Sequence, residues 1–179
     1  MKKNNLVFII FILILSSCSS DGSSSSNSVN SGGLIGEWEM VDYLLSGTTE
    51  VTDQDGTVIS EVLSKGLDYN HTITFSENPN DFIAEGDFSV ETTTTTNGEA
   101  STEILEAQSF GSICDGLGTW EMIDDELITT NENNEIVIMK VEELNTSSLV
   151  LSTSEKRNIS AFGSTLKIDI NITVSFEKK

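Results

Sequence analysis

Basic side chains are scarce in this chain: 9 Lys and Arg stand against 29 Asp and Glu in 179 residues, a formal net charge of −20. With so little to neutralise phosphates, nucleic acid is not expected as a partner. Histidine occurs once, as His71, and cysteine twice, as Cys18 and Cys114. Those three side chains cannot supply the four ligands of an ordinary structural zinc site, and no cofactor is expected. Catalytic signatures are missing as well. There is no Gly-x-Ser-x-Gly elbow, and nothing in the spacing brings His71 to Cys114 as a base–nucleophile pair. The glycines of Gly111-Ser112-Ile113-Cys114-Asp115-Gly116-Leu117-Gly118 have phosphate-loop spacing but lack the Lys and the helix that would follow them. Asp53-Gln54-Asp55-Gly56 is similar to the start of a calcium loop, yet Glu61 falls one residue early for the closing bidentate ligand. The chain is therefore expected not to be an enzyme.

What is present begins with a leader. Met1-Lys2-Lys3-Asn4-Asn5 is cationic, and residues 6–15 (LVFIIFILIL) are wholly apolar. Ten residues are too few for a spanning helix, which needs about 20, and suit the apolar core of a secretory signal. Ser16, Ser17 and Cys18 follow at once. Residues 19–33 (SSDGSSSSNSVNSGG) are small and polar and read as a flexible tether with an rms span of roughly 20 Å.

From Gly36 onward apolar residues recur with period two, not 3.6. In the last segment Leu166, Ile168, Ile170, Ile172, Val174 and Phe176 alternate with polar partners, as a half-buried antiparallel strand requires. Phe82, Ala84, Gly86, Phe88 and Val90 alternate likewise, after the turn-forming Asn78-Pro79-Asn80-Asp81. Asn97-Gly98, after the run of threonines at 92–96, signals a hairpin. Further strands are predicted over 36–45, 102–109, 118–123, 126–130, 135–142 and 148–153. Residues 58–65 suit one or two helical turns or a strand equally. The fold class is all-β: about 8–10 short antiparallel strands with at most one short helix, a meander that closes into a barrel or folds as a sandwich to hide its edges. The chain is expected to divide into a signal peptide at 1–17, Cys18 with its tether at 18–33, and the β domain at 34–179. Gly36-Glu37-Trp38-Glu39-Met40-Val41-Asp42 is partly echoed by Gly118-Thr119-Trp120-Glu121-Met122-Ile123-Asp124. The echo reads as two strands solving one problem: a Gly lets the chain run close to its neighbours and a Trp plugs the end of the core.

Leu15-Ser16-Ser17-Cys18 resembles the lipobox of bacterial lipoproteins, and the resemblance implies cleavage before Cys18 and lipid attachment to it. No Asp directly follows that cysteine, which leans toward the outer membrane. The Gly36-Glu37-Trp38 opening, Thr72-Ile73-Thr74-Phe75-Ser76-Glu77-Asn78-Pro79-Asn80 and Gly118-Thr119-Trp120-Glu121 are similar to the lipocalin-like lipoproteins of Bacteroidetes-type bacteria. The bracing cysteines of many secreted lipocalins have no counterpart here. The resemblance implies an up-and-down β-barrel on a lipid anchor in the cell envelope and names no ligand, since fold does not fix function.

Trp38, Phe75, Phe88 and Trp120 are the candidate ligand-pocket residues. Such aromatics either line a cavity for a small apolar ligand or fill the core, as barrels of about eight strands do both. The expected partners are the membrane, through the lipid on Cys18, and either a small apolar ligand or another envelope protein that meets the barrel exterior. Charge adds a map. Removing the leader lysines leaves 7 cations against 29 acids, −22; residues 18–139 hold Lys65 alone against 24 acids, and 140–179 hold 6 cations against 5 acids. One near-neutral sector is predicted on an otherwise acidic barrel; the charge reads as solubility and self-repulsion, or else as cation attraction or a docking face around Lys156-Arg157 and Lys167.

Overall fold

The computed structural model describes residues 33–107, 116–161 and 163–179. The leader, Cys18, most of the tether and Cys114 lie outside these residues. Among the described residues the chain forms nine strands: β1 (Gly36–Asp53), β2 (Gly56–Phe75), β3 (Asp81–Thr96), β4 (Glu99–Ala107), β5 (Gly116–Ile123), β6 (Glu126–Asn131), β7 (Ile136–Leu144), β8 (Ser148–Ala161) and β9 (Ser164–Lys178).

Local chemistry makes the reversals between them. Asn97 and Gly98 take φ of 53° and 84°, the left-handed pair that matches strand twist between β3 and β4. Asp53 Oδ1 accepts the backbone N–H groups of Asp55 and Gly56 at 2.8 and 3.2 Å, which folds the β1–β2 turn. Asn145 Oδ1 does the same for Ser147 and Ser148 at 2.8 and 2.9 Å ahead of β8. The Asp53-Asp55 pair thus serves as a hairpin turn.

The strands pair antiparallel in the order β2-β1-β9-β8-β7-β6-β5-β3-β4, and β2 also pairs with β3, so the sheet closes on itself. This is the all-β, barrel-like ring that the period-two pattern predicts, with the last strand beside the first. One edge of β3 serves two partners. Its residues 81–84 pair with β5, and residues 88–96 pair with β4.

The strands differ in length, and this shapes the molecule. β1 and β2 have 18 and 20 residues, whereas β5, β6 and β7 have 8, 6 and 9. Only one end of the long strands is therefore enclosed by the ring. Beyond it six strands continue as a sheet in the order β4-β3-β2-β1-β9-β8. Residues 58–65, which suited helix or strand, are part of β2; the Asp53 turn sets them opposite β1 from Gly56 onward. β1 runs past residue 45 and β8 past residue 153 for a related reason. Ser46-Gly47-Thr48-Thr49 shows no alternation, but β2 and β9 flank it on both sides and satisfy its backbone groups.

The core fills the ring. Trp38, Met40 and Tyr43 of β1, Ile73 and Phe75 of β2, Phe82 and Phe88 of β3, Trp120 of β5, and Val174 and Phe176 of β9 are all buried. An irregularity in β1 between Met40 and Asp42 shifts parity by one, so that Tyr43 rather than Asp42 follows Met40 inward. The two Gly-x-Trp openings agree in their tryptophans and differ in their glycines, since only Gly118 approaches fixed backbone. A Cβ on Gly118 would lie 2.3 Å from the Thr130 carbonyl oxygen, and one on Gly36 would lie 2.9 Å from Lys178 Cε. Each tryptophan donates its indole N–H to a backbone carbonyl, Trp38 to Leu34 at 2.7 Å and Trp120 to Ser76 at 2.9 Å.

Candidate functional site

The four sequence-predicted pocket residues all face the inside of the ring, at 0 % (Trp38), 1 % (Phe75), 4 % (Phe88) and 6 % (Trp120) exposure. They do not form one constellation. Phe75 meets Trp120 edge-on at 6.1 Å between ring centroids and Phe82 at 6.4 Å. Phe88 belongs to a second group, with Tyr43 at 5.3 Å, Tyr69 at 6.1 Å and His71 at 6.2 Å. Trp38 stands apart under the Lys178 ammonium, which lies 4.9 Å from its ring centre. These aromatic contacts pack the ring.

His71 shares the inward face with Ile73 and Phe75 and is buried. It sits within the wall rather than at a strand end. Cys114 lies outside the described residues, so the structure describes no His71–Cys114 geometry. Among the described residues no group of three or more His, Cys, Asp or Glu side chains could hold a metal ion.

Tyr69 is a titratable member of the Phe88 cluster. Burial pushes its phenol above the ordinary 10.0, opposed by the Tyr43 backbone N–H, which donates to its oxygen at 3.0 Å, and assisted by nearby Asp42. A raised acid pKa means that the folded state keeps this proton to higher pH than the unfolded chain. The associated stability is complete below the ordinary tyrosine pKa and is lost as pH climbs above about 10. Urea midpoints should fall through that range in the unaltered protein, and Tyr69→Phe should flatten the fall.

A second surface begins where the ring ends. Val174 and Phe176 of β9 are buried, but Leu166, Ile168, Ile170 and Ile172, on the same face, are only half-buried. Register places Val51 opposite Leu166 and Val58 opposite Val51, while Val62 faces Gly47, whose other neighbour is Ile170. The apolar stripe thus runs along β9 into the core without a break and extends across β1 and β2 at Val51, Val58 and Val62, with Gly47, Thr49 and Ser60 between them. At about 3.3 Å per residue, 166–172 spans roughly 20 Å.

Two polar margins flank it. On the β2–β3 side Ser60 bonds Thr96 at 2.6 Å and Ser64 bonds Thr92 at 2.8 Å. On the β8 side Glu155 and Arg157 stand opposite Ile170 and Ile168 and form an ion pair. A floor of aliphatic groups between hydroxyl and charged rims is chemically suited to an apolar body with a polar end. Nothing in the arrangement activates a nucleophile.

The sequence carries a signal for this stripe in β9. Six alternating apolar positions in β9 need more cover than the ring gives, since just two are enclosed. The predicted docking face divides: Lys156 and Lys167 lie on the outer face, paired with Asp169 and Glu50 at 2.7 Å each, while Arg157 lies on the inner one. An outer cleft of about 510 Å³ opens where β8 leaves β7, between Ile138, Lys140, Glu142, Ser152 and Ile172. There Lys140 and Ser152 both donate to the Glu142 carboxylate at 2.7 Å, which lowers its pKa below the usual carboxylate range. Comparison with protein-family models, curated proteins and solved structures finds no match to this chain.

Proposed function

We propose that this chain is an envelope lipoprotein of lipocalin-like type, held on the outer membrane by a lipid on Cys18, and that it is a non-catalytic binding module for a small apolar ligand. The ligand rests at the mouth of the ring, against Ile168, Ile170 and Ile172, and not among Trp38, Phe75, Phe88 and Trp120. The observation that carries this reading is the half-buried stripe continuous with the core. Full burial of such a side chain contributes roughly 1.5–3 kcal/mol, so four of them left half-covered forgo several kcal/mol that a ligand would recover. The segment that carries the lipobox resemblance lies at the tether and is compatible with a domain standing clear of the headgroups.

The test uses the chain with Cys18→Ser, so that no acyl group of its own competes. Titration with N-phenyl-1-naphthylamine should show saturable binding at one site. Ile170→Asp, which places a carboxylate on the apolar floor, should weaken it about tenfold or more, and Thr48→Asp on the outer face should leave it unchanged. Equal binding by all three proteins would overturn the reading and favour an accessory interaction protein with a solid-packed barrel.

A further inference from the structure

The six-stranded sheet beyond the ring has two outer strands, and they differ in charge. Among the described residues β4 pairs with β3 alone, and residues 153–161 of β8 pair with β9 alone. Each leaves a nine-residue row of backbone donors and acceptors at an edge. Such rows recruit another strand unless charge, proline or a bulge prevents it. β4 contains no Pro or Lys, and its Ile104 and Leu105 are 65 % and 46 % exposed. Its guards are Glu99, Glu103 and Glu106. The β8 edge carries Glu155, Lys156 and Arg157.

We infer that β4 of one copy adds to the 153–161 edge of β8 in a second copy, joining the chains head to tail. Direction fits: strands alternate across β4-β3-β2-β1-β9-β8, so a second copy in the same orientation sets its β8 antiparallel to β4. Faces also fit. Leu105 shares the inner face with Val90, and Arg157 shares it with Ile168. Opposing Leu105 with Arg157 sets Glu106 opposite Lys156 on the outer face, with Glu103 diagonal to Arg157 on the inner one. Like-with-like pairing is disfavoured, because two β4 edges oppose glutamates and two β8 edges oppose Lys156 and Arg157. The present partners of those cations, Asp169 and Glu155, hold them in exposed pairs that exchange at little cost. A strongly acidic chain repels its copies everywhere except where its few cations lie, and β8 is one of those places. Being heterologous, the contact does not close at two copies and builds a row.

Sedimentation velocity of the full chain in non-ionic detergent should show a concentration-dependent series of species. Lys156→Glu with Arg157→Glu should weaken the association about tenfold or more, and Glu103→Lys with Glu106→Lys should do the same. Mixing the two charge-swapped proteins should restore it, since each then offers an edge complementary to the other. All four positions are exposed, so far-UV circular dichroism should be unchanged. Carbodiimide treatment of a mixture of ¹⁴N and ¹⁵N chains should give a Glu106–Lys156 amide that joins light to heavy peptide. A strictly monomeric chain, association indifferent to both double variants, a mixture that stays apart, or amides between other pairs in place of Glu106–Lys156 would each overturn the inference.

Discussion

Gly86→Ala should lower stability by about 4 kcal/mol, a large loss for one methyl group. Gly86 lies in β3 opposite His71, where the β2–β3 register shifts between Leu67 and Asn70. Its φ is +93°, in the region that side chains resist, and a Cβ there would stand 1.8 Å from the Asn70 carbonyl oxygen. Two costs combine: the left-handed backbone, about 1–2 kcal/mol, and an overlap with main chain that no rotamer relieves. Gly56→Ala separates them. Gly56 also has positive φ, +137°, but a Cβ there meets nothing within 4 Å, so only the first cost applies. Urea denaturation of both variants should therefore give Gly86→Ala the larger loss by a factor of two or more, roughly. Equal losses would mean that strands β2 and β3 part easily at this point.

Trp38→Ala should cost about 3–5 kcal/mol, the range for emptying a large aromatic site. Trp38 is 0 % exposed, holds the Leu34 carbonyl through its indole, and lies beneath the Lys178 ammonium. Lys178 in turn donates to the Gly33 carbonyl at 3.1 Å. One side chain thus pins the residues that precede β1 to the last residues of β9. Trp38→Phe keeps most of the volume and removes the N–H, leaving the buried Leu34 carbonyl without its donor at about 1–3 kcal/mol. Hydrogen exchange gives the sharper signature: Trp38→Phe should speed exchange at residues 34–36 while β6 and β7 keep their protection. Uniform acceleration would show that the indole bond contributes to global stability and has no local role.

Much of this architecture could be read from the residues because alternation is a direct record of burial. Leu166 to Phe176 specifies β9, its faces and its antiparallel neighbours, and Asn97-Gly98 marks a reversal that only a few residue types form cheaply. Lengths were less legible. Ser46 to Thr49 shows no hydrophobic alternation, and its strand exists because β2 and β9 supply partners from distant parts of the chain. The same holds for 154–161 of β8, where Glu155 and Arg157 precede Ile159 on the inner face and only the last of these three is apolar, opposite Leu166. The site was half legible. Aromatic residues announce a core, and Trp38, Phe75, Phe88 and Trp120 are in it. Where that core stops depends on how short β5, β6 and β7 are relative to β1, β2 and β9, a relation between strands that no single segment contains.

β1 is the strand that follows the tether, and it lies in the interior of the sheet, between β2 and β9 along nearly its whole length. That placement has a mechanical meaning. Tension applied through the residues ahead of Gly33 acts along β1, so its ladders to both neighbours are loaded in shear and their hydrogen bonds resist together. The same tension delivered to β4, which among the described residues pairs with β3 alone, would meet one ladder instead of two. A domain pulled from the residues ahead of Gly33 would therefore be gripped by a strand held on both sides, and should yield to force applied at β4 well before it yields there.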